Sequence, residues 1–443
     1  MYLPSQVQYC IDTLEQAGYA AYAVGGCVRD ALLGLSPHDY DICTSALPEE
    51  IARIFSGREL IRNGEKHGTI GVVLEHQLYE ITAFRTEGTY GDSRHPDWVR
   101  FVDQIELDLA RRDFTINAMA YSPSRGLCDP FGGAADLEKG VLRAVGDPER
   151  RFSEDALRIL RGVRFAVRFG FQLEGNTKQA MFRLAPSMEK LARERVFDEL
   201  CKLLPQICAS QLLEFAPIIA QAIPALQPCV GFQQRSPYHS YDVYTHIAHV
   251  VEATPEDLTL RWAALLHDIG KPRCFTLDEA GCGHFFGHAA IGADLANETL
   301  LQLKSPTALR QQVCSLIRQH MVRIEPNTKA VRRALSRLGS DTFHQLLALQ
   351  EADTGSKGTG KPVQTADFDT LRTIAQEIEA ENACLQIRDL AINGRDLMAL
   401  GYEGPAIGKA LQDLLELVLD EKIENTKDAL RNALQQAPPY KNL

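Results

Sequence analysis

Two aspartates and a pair of glycines lie close together near the start of the chain. Gly25 and Gly26 precede a short apolar run, and Asp39 and Asp41 are separated by one residue. Glycines let backbone amides approach a bound anion closely, as phosphate-holding loops require. Two neighbouring carboxylates repel each other unless a cation lies between them, and a hard divalent ion such as Mg²⁺ suits oxygen ligands. The stretch therefore predicts metal-assisted chemistry on a nucleotide.

Short patterned segments around this stretch predict the elements that position it. Residues 19–24 form an apolar run that ends at the glycine pair, as a strand leading into a turn does. Residues 28–33 are apolar enough to open a helix, and a helix N-terminus favours negative charge. If Asp39 and Asp41 lie in a strand, both carboxylates point to one face, because side chains alternate along a strand.

A predicted hairpin supplies a third carboxylate. Residues 69–74 and 78–84 are alternating runs joined by a short polar turn, and Glu80 lies in the second run. Facing the aspartate pair, Glu80 would complete a metal site; otherwise it only belongs to the polar face of a strand. The order helix, strand, helix and antiparallel strands predicts an α/β head built on a small mixed sheet.

The combination of these motifs is more specific than any one of them, since a lone Asp-x-Asp or Gly-Gly pair is typical of a turn. Residues 25–41 resemble the first motif of the polymerase-beta-type nucleotidyltransferases, in the class II branch that holds bacterial tRNA CCA-adding enzymes and poly(A) polymerases. The resemblance implies that the two aspartates and Glu80 are catalytic, with Mg²⁺ on the aspartates. It also implies that Gly26 and Arg29 contact the nucleotide.

A second motif follows at residues 111–118, Arg-Arg-Asp-Phe-Thr-Ile-Asn-Ala. Two arginines, an acid and an amide can together contact phosphates and ribose hydroxyls, although a capped helix with a solvated charged end would look similar. The segment resembles the family's second motif, which implies ribose recognition, with Arg112 on the phosphates and Asp113 in the nucleotide site. Residues 85–98 resemble the flexible loop of CCA-adding enzymes, which favours addition of CCA, or of the terminal A, over CC alone.

A third motif predicts how a base is selected. Residues 152–166 read as one helix, on which an acid and three arginines recur every three residues: Asp155, Arg158, Arg161 and Arg164. An ion-pair ladder is the ordinary explanation of such a stripe. The stretch resembles the family's Glu-Asp-x-x-Arg motif, which implies that Asp155 and Arg158 pair with the incoming base. The other two arginines would meet the triphosphate or the pairs that hold this protein template.

Histidines and aspartates in the middle of the chain predict a second metal centre. Mixed nitrogen and oxygen ligation suits Mn²⁺, Fe²⁺, Ni²⁺, Co²⁺ or Zn²⁺. The order His…His-Asp…His…His…Asp resembles the HD superfamily of metal-dependent phosphohydrolases. The resemblance implies these ligands: His246, His267, Asp268, His288, His320 and Asp353. It also implies 2′,3′-cyclic phosphodiesters or phosphomonoesters as substrates, with Lys271 meeting a phosphate, whereas His249 is expected to lie outside the site.

Composition limits the remaining choices. The 443 residues carry a formal net charge of −11, so a nucleic-acid site would have to be a local basic groove rather than a generally basic surface. The eleven cysteines include no Cys-x-x-Cys pair, which argues against a zinc ribbon or redox motif and for reduced thiols in a cytosol. No signal peptide or membrane span is expected, and we predict a cytoplasmic protein.

These patterns predict a multi-domain protein with an α/β head followed by an all-α neck, HD domain and tail. The expected boundaries are residues 1–145, 146–235, 236–360 and 361–443, with tRNA contacts in the tail. The predicted function is addition of CCA to tRNA from CTP and ATP with two Mg²⁺ ions, in a monomer or homodimer, together with an HD phosphohydrolase. Terminal-A addition, poly(A) synthesis and a principally HD hydrolase are the alternatives.

Overall fold

A computed structural model describes residues 1–87, 99–359, 365–381 and 383–436. The loop predicted at residues 85–98 therefore lies mostly outside the described residues. The chain divides into two compact units. The first comprises Met1–Gln227 with Thr299–Ser305, and the second comprises Pro228–Glu298 with Pro306–Leu443. The finer division into four domains stays a prediction.

A seven-stranded mixed sheet organises the first part of unit 1. Its strand order is β3-β4-β5-β2-β1-β8-β9. The strands of this unit are β1 (Ala21–Val24), β2 (Asp41–Thr44), β3 (Glu59–Ile61), β4 (Thr69–Leu74), β5 (Gln77–Ala83), β6 (Arg85–Glu87), β7 (Val99–Phe101), β8 (Ala120–Ser122), β9 (Gly126–Cys128), β10 (Val141–Leu142) and β11 (Gln172–Leu173). Strand β2 pairs antiparallel with β1 and parallel with β5, so the sheet is mixed as predicted.

The hairpin of β4 and β5 forms as the sequence pattern predicts. Only Glu75 and His76 separate the two strands, and both have positive φ, 50° and 65°. A two-residue turn with two left-handed residues matches the right-handed twist of the flanking strands. This fixes the register at Gly71↔Glu80 and sets the position of the glutamate.

Helices cover the sheet and then continue alone. The helices of unit 1 are α1 (Ser5–Gln16), α2 (Gly26–Leu32), α3 (Pro48–Ile54), α4 (Ile105–Ala110), α5 (Gly133–Lys139), α6 (Pro148–Glu154), α7 (Leu157–Phe169), α8 (Gly175–Leu184), α9 (Arg193–Leu203), α10 (Ala209–Glu214) and α11 (Ala216–Ala222). Within unit 1, the fully buried Phe114 connects the sheet region to the helices that follow it. The Phe114 ring packs edge-on against Phe165 of α7, with 5.9 Å between ring centres, and lies 6.4 Å from the ring centre of Phe152 of α6.

The described residues of unit 2 are mainly helical and contain one short hairpin, β12 (Thr276–Leu277) with β13 (Gly283–His284). Its helices are α12 (Val243–Ala253), α13 (Leu258–Leu266), α14 (Lys271–Cys274), α15 (His288–Gln302, whose last residues are assigned to unit 1), α16 (Thr307–Gln319), α17 (Thr328–Leu338), α18 (Ser340–Gly355), α19 (Thr365–Ala380), α20 (Gly394–Ala399), α21 (Pro405–Leu419) and α22 (Lys427–Gln436). Among the helices that the structure describes, none has the length and apolar character needed to cross a membrane.

Candidate functional sites

Two of the three predicted carboxylates lie on neighbouring inner strands of the seven-stranded sheet, and the third lies just before one of these strands. Asp41 is the first residue of β2, and the next residue, Ile42, lies opposite Ile81 of β5. Because β2 and β5 are parallel, the residues that precede this pair, Asp41 and Glu80, also lie side by side on the two strands. Asp39 precedes β2. Carboxylates grouped in this way fit a Mg²⁺ site, since hard cations take oxygen ligands.

The charges around Asp41 support this fit. Partial burial raises the pKa of Asp41, Arg112 opposes that rise, and the neighbouring charge of Asp39 adds to it. The two aspartates therefore interact across a short distance, although the structure differs from the predicted strand in one respect. Only Asp41 belongs to β2, because Val24 at the end of β1 offers no partner beyond it.

Gly25 permits an arginine to reach the glycine turn. Its φ of 78° and ψ of −124° suit glycine, and a Cβ atom there would lie 2.7 Å from Nη1 of Arg112. On its other side the Arg112 guanidinium contacts Asp108, with Nη2 3.4 Å from Oδ2. Nε of Arg112 is buried and lacks a hydrogen-bond partner among the described residues. The arginine is thus held beside the predicted phosphate turn.

A cavity of about 460 Å³ in unit 1 collects residues from all three motifs. Nine of the predicted nucleotide and metal residues line it: Gly26, Arg29, Asp41, Arg112, Asp113, Asp155, Arg158, Arg161 and Arg164. The described lining holds many more cationic than anionic side chains. The structure therefore provides the local basic groove that an acidic chain needs to bind a polyanion.

Arg29 is more enclosed than the sequence suggested. It is 5% exposed, its Nε donates to Oδ1 of Asp30 at 2.8 Å, and its Nη1 donates to Oδ1 of Asn117 at 2.6 Å. Its guanidinium also lies 4.8 Å from the ring centre of Phe169. In this state Arg29 ties α2 to the second motif and to α7, while still lining the cavity.

Asp113 joins the second motif to the neck helices. Its Oδ2 accepts from Nε of Arg161 at 2.8 Å, and its Oδ1 accepts from Nδ2 of Asn117 at 3.1 Å and from the backbone amide of Phe114. Burial alone would raise the pKa of Asp113, but the charge of Arg161 and these hydrogen bonds outweigh it and lower the pKa to about 2. Asp113 is therefore a fixed anion that orients Arg161.

The predicted base-reading residues are held by neighbours on three sides. Arg195 of α9 donates from Nη2 to Oδ2 of Asp155 at 2.9 Å. Arg158 donates to Oε2 of Glu154 at 3.0 Å and, through Nη2, to the backbone oxygen of Arg111 at 3.0 Å. Because both side chains are less than a tenth exposed, their polar edges have fixed directions.

The remaining two arginines pair with one buried glutamate of α9. Nε of Arg164 lies 2.5 Å from Oε2 of Glu199, and Nη1 of Arg161 lies 3.7 Å from Oε1 of the same glutamate. Glu199 is 4% exposed. The roles predicted for the two arginines, on the triphosphate or in the pairs that hold the template, stay predictions.

One element of this region differs from the sequence prediction. Residues 152–166 do not form one helix, because α6 ends at Glu154 and α7 begins at Leu157. Asp155 lies between them with φ −145° and ψ 103°, and its Oδ1 accepts from the backbone amide of Leu157 at 3.0 Å. Asp155 thus leaves the arginine stripe to cap α7, which directs its other oxygen to Arg195.

Unit 2 brings the six predicted metal ligands together. Asp268 links two groups of ligand atoms, each within 4.8 Å: one with His246 and His267, the other with His288 and His320. The sixth ligand, Asp353, lies with Oδ1 3.0 Å from Nε2 of His246. All six side chains are buried. A carboxylate shared between two histidine pairs fits two divalent ions better than one.

The tautomers of the four histidines also fit metal ligation. Every Nδ1 faces a backbone carbonyl oxygen: that of Ser356 for His246, Ala264 for His267, Phe285 for His288 and Ile317 for His320, at 2.6–3.1 Å. A proton on Nδ1 leaves the Nε2 lone pair for a metal. The Nε2 atoms converge, with His246 and His267 3.4 Å apart and His288 and His320 3.3 Å apart.

The charges near this centre follow from burial. Burial, reinforced by the neighbouring His267, lowers the pKa of His320 to about 4, and burial also lowers the pKa of His288. Burial opposes charge on His267 too, but Asp268 and Asp353 outweigh it and raise its pKa. Nζ of Lys271 lies 2.6 Å from Oδ2 of Asp268. Outside the cluster, His249 stacks on Tyr241, as expected of a histidine that is not a ligand.

Comparisons with known proteins decide the family. The family described as "Poly A polymerase head domain" matches residues 21–143, and that described as "tRNA nucleotidyltransferase domain 2" matches residues 285–434. A CCA-adding enzyme of Levilactobacillus brevis is 36% identical over 423 residues, which cover 95% of this chain and 94% of that protein. The chain belongs to the family of CCA-adding enzymes.

Two further CCA-adding enzymes extend this result. The enzyme of Leuconostoc mesenteroides is 50% identical over 210 residues, 47% of this chain and 52% of that one. The crystal structure of the Bacillus stearothermophilus CCA-adding enzyme in complex with CTP superposes with a TM-score of 0.71 at 29% identity and covers 98% of both chains. The mixed-sheet head followed by a helical region, predicted from the sequence, is confirmed by this likeness.

Two residues that line the candidate site of this CCA-adding family member, Arg168 and Arg195, were missed in the sequence. Arg111 and Asn117 also line the site, and both belong to the second motif, but neither was singled out there as a site residue. Arg195 lies 40 residues after its partner Asp155, so no local pattern pointed to that pair.

Proposed function

We propose that this chain adds CCA to the 3′ end of tRNA from CTP and ATP without a nucleic-acid template. The observation that carries the proposal is the cavity of unit 1, which brings the base-reading motif at Asp155 and Arg158 beside Asp41 and Arg112. The family membership supports the same reaction, as does the CTP complex named for the Bacillus stearothermophilus relative.

The metal-dependent part of this reaction is assigned to Asp39, Asp41 and Glu80. Asp39 and Asp41 would hold Mg²⁺, with Glu80 beside them. Bound there, Mg²⁺ supplies activation of the tRNA 3′-hydroxyl and charge neutralisation on the triphosphate. Arg112 lies next to the glycine turn and donates to the phosphates, since guanidinium groups match phosphate oxygens with paired hydrogen bonds.

The neck residues select the base by hydrogen-bond complementarity. A carboxylate such as Asp155 accepts from the amino group of cytosine or adenine, and Arg158 donates to the adjacent ring nitrogen. Uracil and guanine present a carbonyl oxygen where the amino group would be, and a carboxylate repels it. The supports from Arg195 and Glu154 hold these polar edges still, so discrimination does not require a nucleic-acid strand.

The test supplies a tRNA transcript that lacks its 3′ CCA with CTP alone, ATP alone, or both. We expect two cytidines with CTP alone and a complete CCA end with both nucleotides. Asp41→Asn should abolish both products, whereas Asp103→Asn, an exposed aspartate of the same unit, should leave them unchanged. Failure to incorporate C refutes the proposal. Addition of A alone would indicate a terminal-A-adding enzyme, and a long A tail a poly(A) polymerase.

We also propose that the six-ligand cluster of unit 2 is a divalent-metal phosphohydrolase centre. The observation that favours it is the convergence of four imidazole Nε2 atoms on the carboxylates of Asp268 and Asp353. Bound there, Mn²⁺, Fe²⁺, Ni²⁺, Co²⁺ or Zn²⁺ would supply a nucleophilic water at neutral pH. Lys271 would contact the phosphate, and the substrates would be 2′,3′-cyclic or terminal phosphates of RNA.

The two activities are separated by crossed variants. Metal-stripped protein is reloaded with each ion in turn and assayed for hydrolysis of a 2′,3′-cyclic nucleotide and a terminal phosphomonoester. His267→Ala should remove hydrolysis and retain C addition, while Asp41→Asn should do the reverse. If no ion restores hydrolysis to the native protein, the second proposal is wrong and the first is unaffected.

A further inference from the structure

A separate group of ligating side chains lies on the β12–β13 hairpin of unit 2. Asp278, Cys282 and His284 each offer one ligand atom, and these atoms all lie within 4.8 Å of one another. None of the three belongs to the six-ligand cluster. The three side chains are partly or fully exposed, so a metal ion from solution could reach them.

The hairpin turn fixes the aspartate in one orientation. Oδ1 of Asp278 accepts from the backbone amides of Ala280 and Cys282, at 3.0 and 2.8 Å. Gly281 takes a φ of 76°, and its amide donates to the backbone oxygen of Asp278. Because one oxygen is occupied by the turn, the other is directed at the imidazole, with Oδ2 2.8 Å from Nε2 of His284.

The imidazole is positioned from a second direction. His284 lies opposite Thr276 in the hairpin register, and its ring stacks on Phe286 with 5.4 Å between centres and 6° between planes. Within the part of the chain that the structure describes, the thiol of Cys282 makes one weak hydrogen-bond contact, 3.9 Å to the backbone oxygen of Gly283. The hydrogen bonds of the turn explain the positions of Asp278 and His284, but they do not explain why a thiol lies beside them.

One thiolate, one imidazole and one carboxylate form a donor set typical of Zn²⁺, which is four-coordinate and accepts sulfur, nitrogen and oxygen ligands. We propose that Asp278, Cys282 and His284 bind a Zn²⁺ ion, with water in the fourth position. Binding releases the thiol proton to solvent, moves the imidazole proton of His284 from Nε2 to Nδ1, and replaces the hydrogen bond between His284 and Asp278 with two metal bonds. The proposal does not depend on either function proposed above.

At this position, a bound metal ion would also stabilise the segment that follows the hairpin. Strand β13 continues directly into Phe285, whose backbone oxygen accepts from Nδ1 of His288 at 2.7 Å. Nζ of Lys271 also lies 5.4 Å from the centre of the Phe285 ring. A metal that fixes the hairpin would therefore also fix the segment that orients one ligand of the six-ligand cluster.

The experiment uses the full chain, stripped with a chelator and titrated with Co²⁺ as a spectroscopic substitute for Zn²⁺. Only a thiolate ligand gives the intense near-ultraviolet sulfur-to-cobalt charge-transfer band, and the six-ligand cluster contains no cysteine. We expect the band in the native protein and its loss on addition of Zn²⁺. His267→Ala should retain the band, and so should Cys314→Ser, which removes another partly exposed thiol.

Cys282→Ser should abolish the band, and Asp278→Asn, which keeps an oxygen for the turn amides, should weaken Co²⁺ binding while leaving the circular dichroism spectrum unchanged. A second readout is alkylation of the native protein followed by peptide mass spectrometry, in which Zn²⁺ should protect Cys282 selectively. Absence of the band in native protein, or its persistence in Cys282→Ser, overturns the proposal. Equal alkylation of Cys282 with and without Zn²⁺ does the same.

Discussion

Replacement of Gly25 by alanine separates backbone strain from the position of one arginine. The substitution has two effects in the structure. Alanine at a φ of 78° and a ψ of −124° costs about 1–3 kcal/mol of folding free energy, because residues with a Cβ rarely adopt this backbone conformation. The added Cβ also lies 2.7 Å from Nη1 of Arg112, so the guanidinium must move away from the glycine turn.

Gly34→Ala is the matched control. Gly34 ends the same helical segment with a φ of 73°, but a Cβ there would have no neighbour within 4 Å. Both variants should therefore lose stability, by about 2–12 °C in Tm for a unit of this size. Only Gly25→Ala should lose a phosphate contact. A hydrogen bond to a charged group contributes about 1.5–3 kcal/mol, which corresponds to a fall of about tenfold to a hundredfold in kcat/KM.

The assay measures kcat/KM for CTP on a tRNA lacking its CCA end, below the unfolding temperature of both variants. We expect Gly34→Ala to match the native protein and Gly25→Ala to fall by the stated factor. Native-like activity of both variants would refute the role given to Arg112. An equally large fall in both would show that the loss comes from strain in the segment rather than from the arginine.

Three further predictions concern the supports of the nucleotide site. Glu199→Gln removes the charge beside Arg164 and Arg161 and should lower the free energy of unfolding of unit 1 by about 3 kcal/mol. This is the lower end of the range for a broken buried ion pair, because Arg161 keeps its pair with Asp113. Urea unfolding measures the change, and the control Glu214→Gln, which breaks an exposed pair, should change the free energy of unfolding by less than about 1 kcal/mol. The folded pKa of Asp113 is about 2, below its usual value of 3.8, so ionised Asp113 stabilises the fold above about pH 4, and this stabilisation is lost as the pH falls towards 2. The difference in urea midpoint between the native protein and Asp113→Asn should therefore shrink between about pH 4 and about pH 2. A difference that stays constant over this range would contradict the prediction. Arg195→Met should release Asp155 and raise misincorporation of UTP relative to CTP more than it lowers the overall rate, whereas an unchanged ratio would show that Arg195 only stabilises α9.

The local parts of the fold follow from the sequence because their causes are local. The glycine turn, the β4–β5 hairpin and the helix predicted over residues 28–33 depend on residues within a few positions of one another. The structure contains each of them, with α2 beginning at Gly26. The break between α6 and α7 was missed for a physical reason. The spacing of arginines and apolar residues is helical on both sides of Asp155 and continues through it. An extended backbone at Asp155 is favoured only by two contacts of its side chain, the ion pair with Arg195 and the hydrogen bond from the backbone amide of Leu157.

The residues of both proposed centres were also chosen from the sequence. The motifs and the families that they resemble indicated the carboxylates, the arginines and the six predicted metal ligands, because side-chain type decides which ions and phosphates a site can hold. The sequence could not show which partner each side chain takes. Arg29 bonds Asn117 across 88 positions, Arg164 bonds Glu199 across 35, and Asp268 is shared between two histidine pairs.

The hairpin cluster shows the same limit most clearly. Asp278, Cys282 and His284 are close in sequence, yet nothing in their types alone predicted that the three ligand atoms would meet, since a surface turn can direct them apart. The sequence by itself determined the donor chemistry and the local elements of this protein. The tertiary structure decided which charges are neutralised by neighbours and which donor atoms converge, because these depend on helix packing and strand register between distant segments.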